Sequence, residues 1–198
     1  MDQNSKLRKK IRLQRRALNS FQQKKIEQQC FRQLLRHPTF LHSRMIGIYL
    51  DSFGEVKTTK IIEYCFDHHK SVYLPMICNM NNHLMWVKIS RQQYRNKRFS
   101  YHRLGMYEPM TSRGMHISKL DLVIMPLLAC DDRGTRMGMG GGFYDRTLAT
   151  APHSPYRLGL GHDFQLLNEK LNRNIWDQPL DSLITPSKIL YFKRQMSQ

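Results

Sequence analysis

Four of the five residues from 138 to 142 are glycine, and this cluster directly precedes a segment with a helical pattern. Glycine adds no side-chain bulk and tolerates positive φ angles, so backbone N–H groups in such a loop can converge on an anion. The dipole of the following helix also favours negative charge. Arg136 and Arg146 flank the loop and are placed to bind phosphoryl oxygens, and Asp145 is placed to hold Mg²⁺ beside them. The pattern therefore predicts a phosphate-binding loop.

Two well-known phosphate-binding loops do not fit this segment. No G-K-[ST] follows the glycines, which excludes a Walker A loop. The dinucleotide-binding fingerprint needs a small residue where Phe143 stands and a turn directly after a strand, whereas 11 residues separate Pro126 from Gly138. A glycine-rich turn without a ligand is the remaining alternative, and the entropic cost of three successive glycines disfavours it.

The charge of the chain is unevenly distributed. Its 198 residues include 32 Lys and Arg against 15 Asp and Glu, a formal net charge of +17. Residues 1–36 hold 11 basic and 2 acidic residues, and residues 88–103 hold 6 basic residues and no acid. The remainder is close to balance. Such a charge raises the alternative of a nucleic-acid-binding protein, but no recognised RNA- or DNA-binding motif is present, and an enzyme with local positive fields is favoured.

The composition is that of a globular chain. The hydrophobic fraction of 40% and the aromatic fraction of 10% argue against disorder. No stretch approaches the roughly 20 apolar residues that a membrane helix needs, and the charged N-terminus lacks the apolar core of a signal peptide. We therefore expect a cytoplasmic protein. Its cysteines, Cys30, Cys65, Cys78 and Cys130, lack zinc-ligand spacing and are expected to be reduced structural thiols.

Apolar residues at a spacing near 3.6 predict two N-terminal helices. A capping box formed by Ser20 and Gln23 marks the start of the second helix, and His37-Pro38 marks its end. The apolar face of the second predicted helix includes Phe21. Because both helices are amphipathic, their basic residues are expected largely on the outward faces.

Beyond Pro38, short apolar runs alternate with helical stretches, which is typical of βαβ units with parallel strands. Strands are predicted at 45–50, 71–77, 156–161 and 188–192, with an antiparallel edge strand at 83–89 and a buried central strand at 120–126. Helices are predicted at 58–69, from 143 onward and near 164–172, and residues 90–103 are predicted to be loop. The predicted fold is a single α/β domain in three layers, α/β/α, with a mostly parallel sheet. It comprises a helical hairpin over residues 1–37 and an α/β body over residues 44–193.

Residues 136–146, with the sequence RMGMGGGFYDR, resemble the signature of the 5-formyltetrahydrofolate cyclo-ligases, also called 5,10-methenyltetrahydrofolate synthetases. Similar segments run along the chain, at residues 6–18, 49–58, 105–109, 121–126 and 176–185. Met139 and Gly141 stand where some relatives carry basic residues, so charge contacts at these two positions are not transferred.

The resemblance implies an enzyme that converts 5-formyltetrahydrofolate to 5,10-methenyltetrahydrofolate with ATP and Mg²⁺ and releases ADP and phosphate. It implies phosphorylation of the formyl oxygen and ring closure by N10, with Arg136 and Arg146 as the catalytic side chains. The same resemblance assigns ATP binding to Lys6, Arg8, Arg136, Met137, Gly138, Met139, Gly140, Gly141, Gly142, Phe143 and Tyr144. It assigns folate binding to Leu50, Glu55, Met139, Gly140, Gly141, Gly142 and Phe143, and metal binding to Asp145 and Asp177.

A carboxylate such as Glu55 suits a pterin, because the 2-amino group and the ring N–H offer paired donors. We expect a monomer whose partners are ATP and the folate, without a membrane or a nucleic acid. Another phosphate-ligand enzyme, such as a sugar-phosphate isomerase or a CoA-transferase-like enzyme, remains an alternative, since the resembled fold hosts several chemistries.

Overall fold

The computed structural model describes residues 3–110 and 113–193. Its helices are α1 (Gln3–Ala17), α2 (Ser20–Leu34), α3 (Pro38–His42), α4 (Thr59–Asp67), α5 (Arg91–Arg95) and α6 (Phe143–Ala149), with short 3₁₀ turns at Ile117–Lys119 and Asp163–Gln165. Its strands are β1 (Met45–Gly47), β2 (Ser71–Ile77), β3 (Leu84–Ile89), β4 (Phe99–Tyr101), β5 (Tyr107–Pro109), β6 (Leu122–Pro126), β7 (Ala129–Cys130), β8 (Arg136–Met137), β9 (Tyr156–Leu160), β10 (Ser182–Ile184) and β11 (Ile189–Tyr191). None of the helices within these residues is long and apolar enough to cross a membrane.

Seven strands form the central sheet in the order β11-β10-β9-β6-β1-β2-β3. The five inner strands are parallel, and β3 and β11 close the two edges in the antiparallel direction. The predicted mostly parallel α/β fold is thus confirmed, as is the antiparallel edge strand at 84–89. In such a sheet, ligands bind beyond the carboxyl ends of the parallel strands, so that edge is where a site is expected.

Helices cover both faces of the sheet. Along the central strand β6, Leu122 and Ile124 belong to an apolar cluster with α2 and α4, whereas Val123 and Met125 belong to a second cluster that includes Trp86 and Leu148. This alternation follows from the two-residue period of a strand. The central position predicted for residues 120–126 is therefore confirmed, and the three-layer arrangement follows from it.

The first two helices pack in different places. α2 contributes Cys30 and Leu34 to the cluster shared with α4, whereas Ile11 of α1 packs against Leu128 and Met137 near the glycine loop. The expectation that the basic residues of α1 face outward is wrong for Arg15, which is buried. The physical reason is that this face of α1 lines a cavity, where Arg15 pairs with Glu55, rather than facing bulk water.

Several local predictions need correction. The capping box of α2 uses Asn19 and Gln22, one residue earlier than predicted, and Phe21 is exposed. Segment 90–103 is not all loop, because Ser90 and Gln93 form a capping box that starts α5, and β4 follows.

The helix predicted near 164–172 is absent from the described structure, which has only a 3₁₀ turn there. The backbone N–H groups of Leu167 and Leu171 donate to Cys130 O (2.8 Å) and to the Asp131 carboxylate (3.1 Å), so they are not available for helical bonds. Strand β10 was not predicted, because it is only three residues long and lacks an extended apolar run.

A hairpin formed by β7 and β8 carries the chain into the glycine loop. Asp131, which is fully buried, fixes the turn of this hairpin. Its Oδ1 accepts hydrogen bonds from the N–H groups of Arg133 (3.0 Å) and Thr135 (2.8 Å), and its Oδ2 accepts from the N–H of Leu171. The carboxylate therefore ties the hairpin to the 171 segment.

We predict that Asp131→Ala lowers the free energy of unfolding by about 3 kcal/mol, because it leaves buried N–H donors without an acceptor. Urea denaturation measures this loss. The matched control is Asp132→Ala, which removes the neighbouring exposed carboxylate and is expected to change stability by less than about 0.5 kcal/mol. Equal stability of the two variants would contradict the role given to Asp131.

Candidate active site

A cavity of about 980 Å³ lies at the carboxyl edge of the central sheet. Its walls include the ends of β1, β2 and β6, the inner face of α1, and the glycine loop. The structure brings all but one of the predicted site residues to this cavity, including Leu50, Glu55, Arg8 and Asp177. Lys6 is the exception: it is exposed and does not line the cavity.

The glycine loop, residues 138–142, joins β8 to α6. Gly140 has φ +105° and Gly142 has φ +65°, values that side chains other than glycine rarely adopt. A Cβ atom on Gly140 would meet nothing within 4 Å. The backbone at Gly140 therefore borders open space, so a ligand can approach it closely.

Three arginines hold the carbonyl oxygens of this loop. Because a trans peptide points its C=O and N–H in opposite directions, the amides paired with these carbonyls are turned away from the arginines. No acceptor within residues 3–110 and 113–193 takes a hydrogen bond from the N–H groups of residues 139–145. These donors are thus available to an anion. The contacts are Arg8 Nε to Gly138 O (3.3 Å), Arg12 Nη2 to Met139 O (3.4 Å) and Arg146 Nη2 to Gly141 O (2.6 Å).

Arg136 and Asp145 form an ion pair in the cavity wall. Arg136 Nη2 lies 3.0 Å from both carboxylate oxygens of Asp145, and the side chain of Arg136 is 3% exposed. The N–H of Gln178 also donates to Asp145, at 3.1 Å. In the described structure, the Nε of Arg136 is buried and lacks a hydrogen-bond partner. Asp145 is thus fixed in place while Arg136 retains a donor.

Glu55 lies in a buried part of the cavity wall. Its Oε1 is 3.3 Å from Arg15 Nη2, and its Oε2 accepts from the N–H of Ser52 at 3.0 Å. Burial raises the pKa of Glu55 to about 6, although Arg15 and the Ser52 hydrogen bond oppose the shift. Burial, with Glu55 nearby, also raises the pKa of Tyr144. The Glu55 carboxylate can therefore gain or lose a proton close to neutral pH.

Asp177 closes a turn at the mouth of the cavity. Its Oδ2 accepts from the N–H of Asn174 at 2.8 Å. Trp176 beside it is 63% exposed and also lines the cavity. Among the residues that the structure describes, no group of three or more His, Cys, Asp and Glu side chains forms a metal cluster. Asp145 and Asp177 are therefore cavity carboxylates without a surrounding protein cage.

Three charged residues that line the cavity were not predicted from the sequence. Arg12 and Arg15 follow Arg8 at helical spacing, so one face of α1 presents all three side chains. That spacing was a usable signal. Glu108 of β5 is buried, and its Oε1 accepts from the N–H of Ile77 at 2.8 Å. Its place in the cavity depends on the long-range packing of β5, which no local pattern indicates.

A mostly parallel sheet with a glycine-rich loop at its carboxyl edge is typical of α/β enzymes that bind phosphorylated ligands. The family model for the 5-formyltetrahydrofolate cyclo-ligase family matches residues 1–186. The chain belongs to this family.

Individual proteins agree with this assignment. The chain is 36% identical over 183 residues to the 5-formyltetrahydrofolate cyclo-ligase of Escherichia coli (strain K12), covering 90% of this chain and 98% of that protein. It is 29% identical to the Haemophilus influenzae enzyme of the same name, covering 90% and 95%. The structure of Aquifex aeolicus 5,10-methenyltetrahydrofolate synthetase matches with a TM-score of 0.80 at 26% identity, over 98% of this chain and 95% of that one. The family and the cyclo-ligase activity predicted from the sequence are confirmed.

We predict that the side-chain carboxyl of Glu55 titrates with a midpoint near pH 6 in the free protein, because its burial disfavours the charged form. A ¹³C NMR titration of labelled glutamate measures this, and Glu55→Gln identifies the signal by removing it. A midpoint near 4, as in a solvated glutamate, would contradict the buried environment.

Proposed function

We propose that the cavity converts 5-formyltetrahydrofolate to 5,10-methenyltetrahydrofolate at the expense of ATP, with the triphosphate on the glycine loop and the folate against Glu55. The observation that carries this proposal is the loop itself: arginines hold its carbonyls, its amides have no acceptor among the described residues, and its backbone borders open space at Gly140. Such a cradle binds phosphoryl oxygens without needing a Walker lysine.

The reaction explains why ATP is needed. A formyl group on N5 is an amide, so its carbon is a poor electrophile and its oxygen is a poor leaving group. Transfer of the terminal phosphoryl group to that oxygen breaks the bond to ADP and gives an iminium phosphate. N10 then attacks the formyl carbon, the ring closes, N10 loses its proton, and phosphate departs with the oxygen.

Phosphoryl transfer asks the protein mainly for positioning and electrostatic stabilisation. In the proposal, the free loop amides hold the triphosphate, and Arg136 and Arg146 stabilise charge on the transferred group as catalytic residues. The buried Nε atoms of Arg12 and Arg136 have no hydrogen-bond partner in the described structure, which suits an anionic ligand. Arg8 contributes charge at the nucleotide. Lys6 is exposed and does not line the cavity, so its ATP contact stays a prediction on which this proposal does not depend.

The carboxylates suit a Mg²⁺ ion that arrives with the nucleotide. Mg²⁺ usually binds through one or two carboxylates together with phosphate oxygens and water, rather than in an all-protein cage. Asp145 and Asp177 line the cavity with the glycine loop, and the described residues form no larger metal cluster. In this proposal these two residues hold the ion, whose charge would neutralise the phosphates.

On the folate side, Glu55 orients the pterin and Leu50 packs against it. The ionised carboxylate accepts hydrogen bonds from the paired N–H donors of the pterin edge. Residues 139–143 lie between the two ligands, so the loop that binds the phosphates also borders the formyl group.

We also propose that the chain works as a single-domain monomer in the cytoplasm, since residues of one chain suffice to form the cavity. The nucleic-acid alternative is less favoured. Part of the basic N-terminal segment faces the cavity, because Arg8, Arg12 and Arg15 all line it.

The first test is turnover. Purified protein with 5-formyltetrahydrofolate, ATP and Mg²⁺ is expected to give the methenyl absorbance together with one phosphate per product. Omission of ATP or addition of EDTA is expected to stop the reaction. Folded protein that produces neither product nor phosphate would refute the proposal.

A second test addresses the loop. A Cβ on Gly141 would lie 2.6 Å from the ring of Phe143, so Gly141→Val is expected to displace the loop. We predict that kcat/KM for ATP falls at least about 100-fold, or about 2.7 kcal/mol of transition-state stabilisation. Circular dichroism is expected to show an intact fold, and calorimetry with ADP to show weakened binding. Unchanged turnover would refute the role of the loop.

A further inference from the structure

Arg15 is the most buried of the arginines that α1 directs at the cavity, with 1% of its surface exposed. Its Nη2 donates to Ser52 O at 3.2 Å and lies 3.3 Å from Glu55 Oε1. One guanidinium nitrogen therefore contacts both ends of a tight turn, since Ser52 and Glu55 also bond to each other through N–H groups. Burying an arginine beside a carboxylate costs free energy unless both groups are well paired. The contact between Arg15 and Glu55 therefore depends on good pairing geometry.

The segment that carries Glu55 is also held from a second side. Gly54 has φ +74°, and a Cβ there would lie 2.8 Å from the carbonyl oxygen of Arg15. The Gly54 carbonyl oxygen accepts a hydrogen bond from His162 Nε2 at 2.9 Å. The Glu55 segment is thus held between α1 and the loop after β9.

Arg15 is also the main positive charge acting on the Glu55 carboxylate. Burial raises the pKa of Glu55, and Arg15 opposes this both by its charge and by its hydrogen bond. Asp51 raises it further, and the hydroxyls of Tyr49 and Tyr144 are the other ionisable groups coupled to it. The balance between burial and Arg15 therefore sets the charge of Glu55 near neutral pH.

We propose that Arg15 is a positioning residue of the folate subsite: it holds Glu55 ionised and in place for the pterin, without itself touching the phosphoryl group. This inference rests on the proposed role of Glu55 as folate ligand. In this inference α1 has two functions: Arg15 positions Glu55, and Arg8 and Arg12 on the same face contact the glycine loop.

The test compares Arg15→Gln with Arg16→Gln, which removes the same charge from the exposed neighbour on α1. For Arg15→Gln, we expect KM for 5-formyltetrahydrofolate to rise at least about 10-fold, with KM for ATP and kcat within about 3-fold. The acidic limb of kcat/KM for the folate is expected to move to higher pH, because Glu55 binds its proton more readily. Arg16→Gln is expected to have the kinetic constants and the pH profile of the unmodified protein. Arg15→Lys is expected to shift the acidic limb by less than Arg15→Gln does.

Two outcomes would overturn the proposal: an unmoved acidic limb, or an equal loss towards both substrates. If Arg15→Gln does not fold, Arg15→Lys carries the comparison, and its acidic limb must lie at higher pH than that of the unmodified protein. Glu55→Gln supplies an independent check, since adding Arg15→Lys to it must cause no further rise in the folate KM.

The ¹³C titration of Glu55 separates this inference from the proposed reaction. If the unmodified protein is inactive on the folate, the proposed function fails, yet the titration midpoint must still rise in Arg15→Gln, or in Arg15→Lys where the first variant does not fold. A midpoint that stays in place overturns the positioning role whatever the substrate.

Discussion

The hydrogen bonds from arginine side chains to the carbonyl oxygens of the glycine loop are the contacts on which the cavity depends. They orient three of the loop peptides so that the opposite N–H groups are left without an acceptor among the described residues. A loop with five flexible residues would otherwise sample many conformations and lose much of its order on binding. α1 thus supplies the rigidity that the glycines lack, and Asp131 supplies the equivalent support at the preceding hairpin.

Two pairs of oppositely charged side chains line the cavity. Arg136 pairs with Asp145, and Arg15 pairs with Glu55. Each carboxylate also accepts a backbone N–H, which satisfies oxygens that burial removes from water. The exceptions are the Nε atoms of Arg12, Arg15 and Arg136, three residues that line the cavity; these atoms are buried and have no hydrogen-bond partner in the described structure.

The sequence was sufficient to predict the parallel sheet, because β2 and β6 are runs whose hydrophobicity matches burial on both faces. The glycine cluster also predicted the loop before α6, and phosphate binding by this loop and its flanking arginines stays a prediction. The inward orientation of the Arg15 side chain could not be predicted from the local sequence. An amphipathic helix ordinarily exposes its arginines, and the partner of Arg15, Glu55, lies 40 positions away in the chain. The absence of a helix near 164–172 also results from long-range contacts, because the backbone N–H groups of Leu167 and Leu171 donate to β7 and to Asp131.

The contact between Arg8 and Gly138 spans 130 positions of the chain. During synthesis, α1 therefore leaves the ribosome long before the loop that it must hold exists. The parallel strands in between can pair first, and closing so long a loop adds an entropic cost that those strand pairings reduce. The cavity can therefore close only after the glycine loop has been synthesised, when β1, β2, β3 and β6 of the sheet are already available to pair.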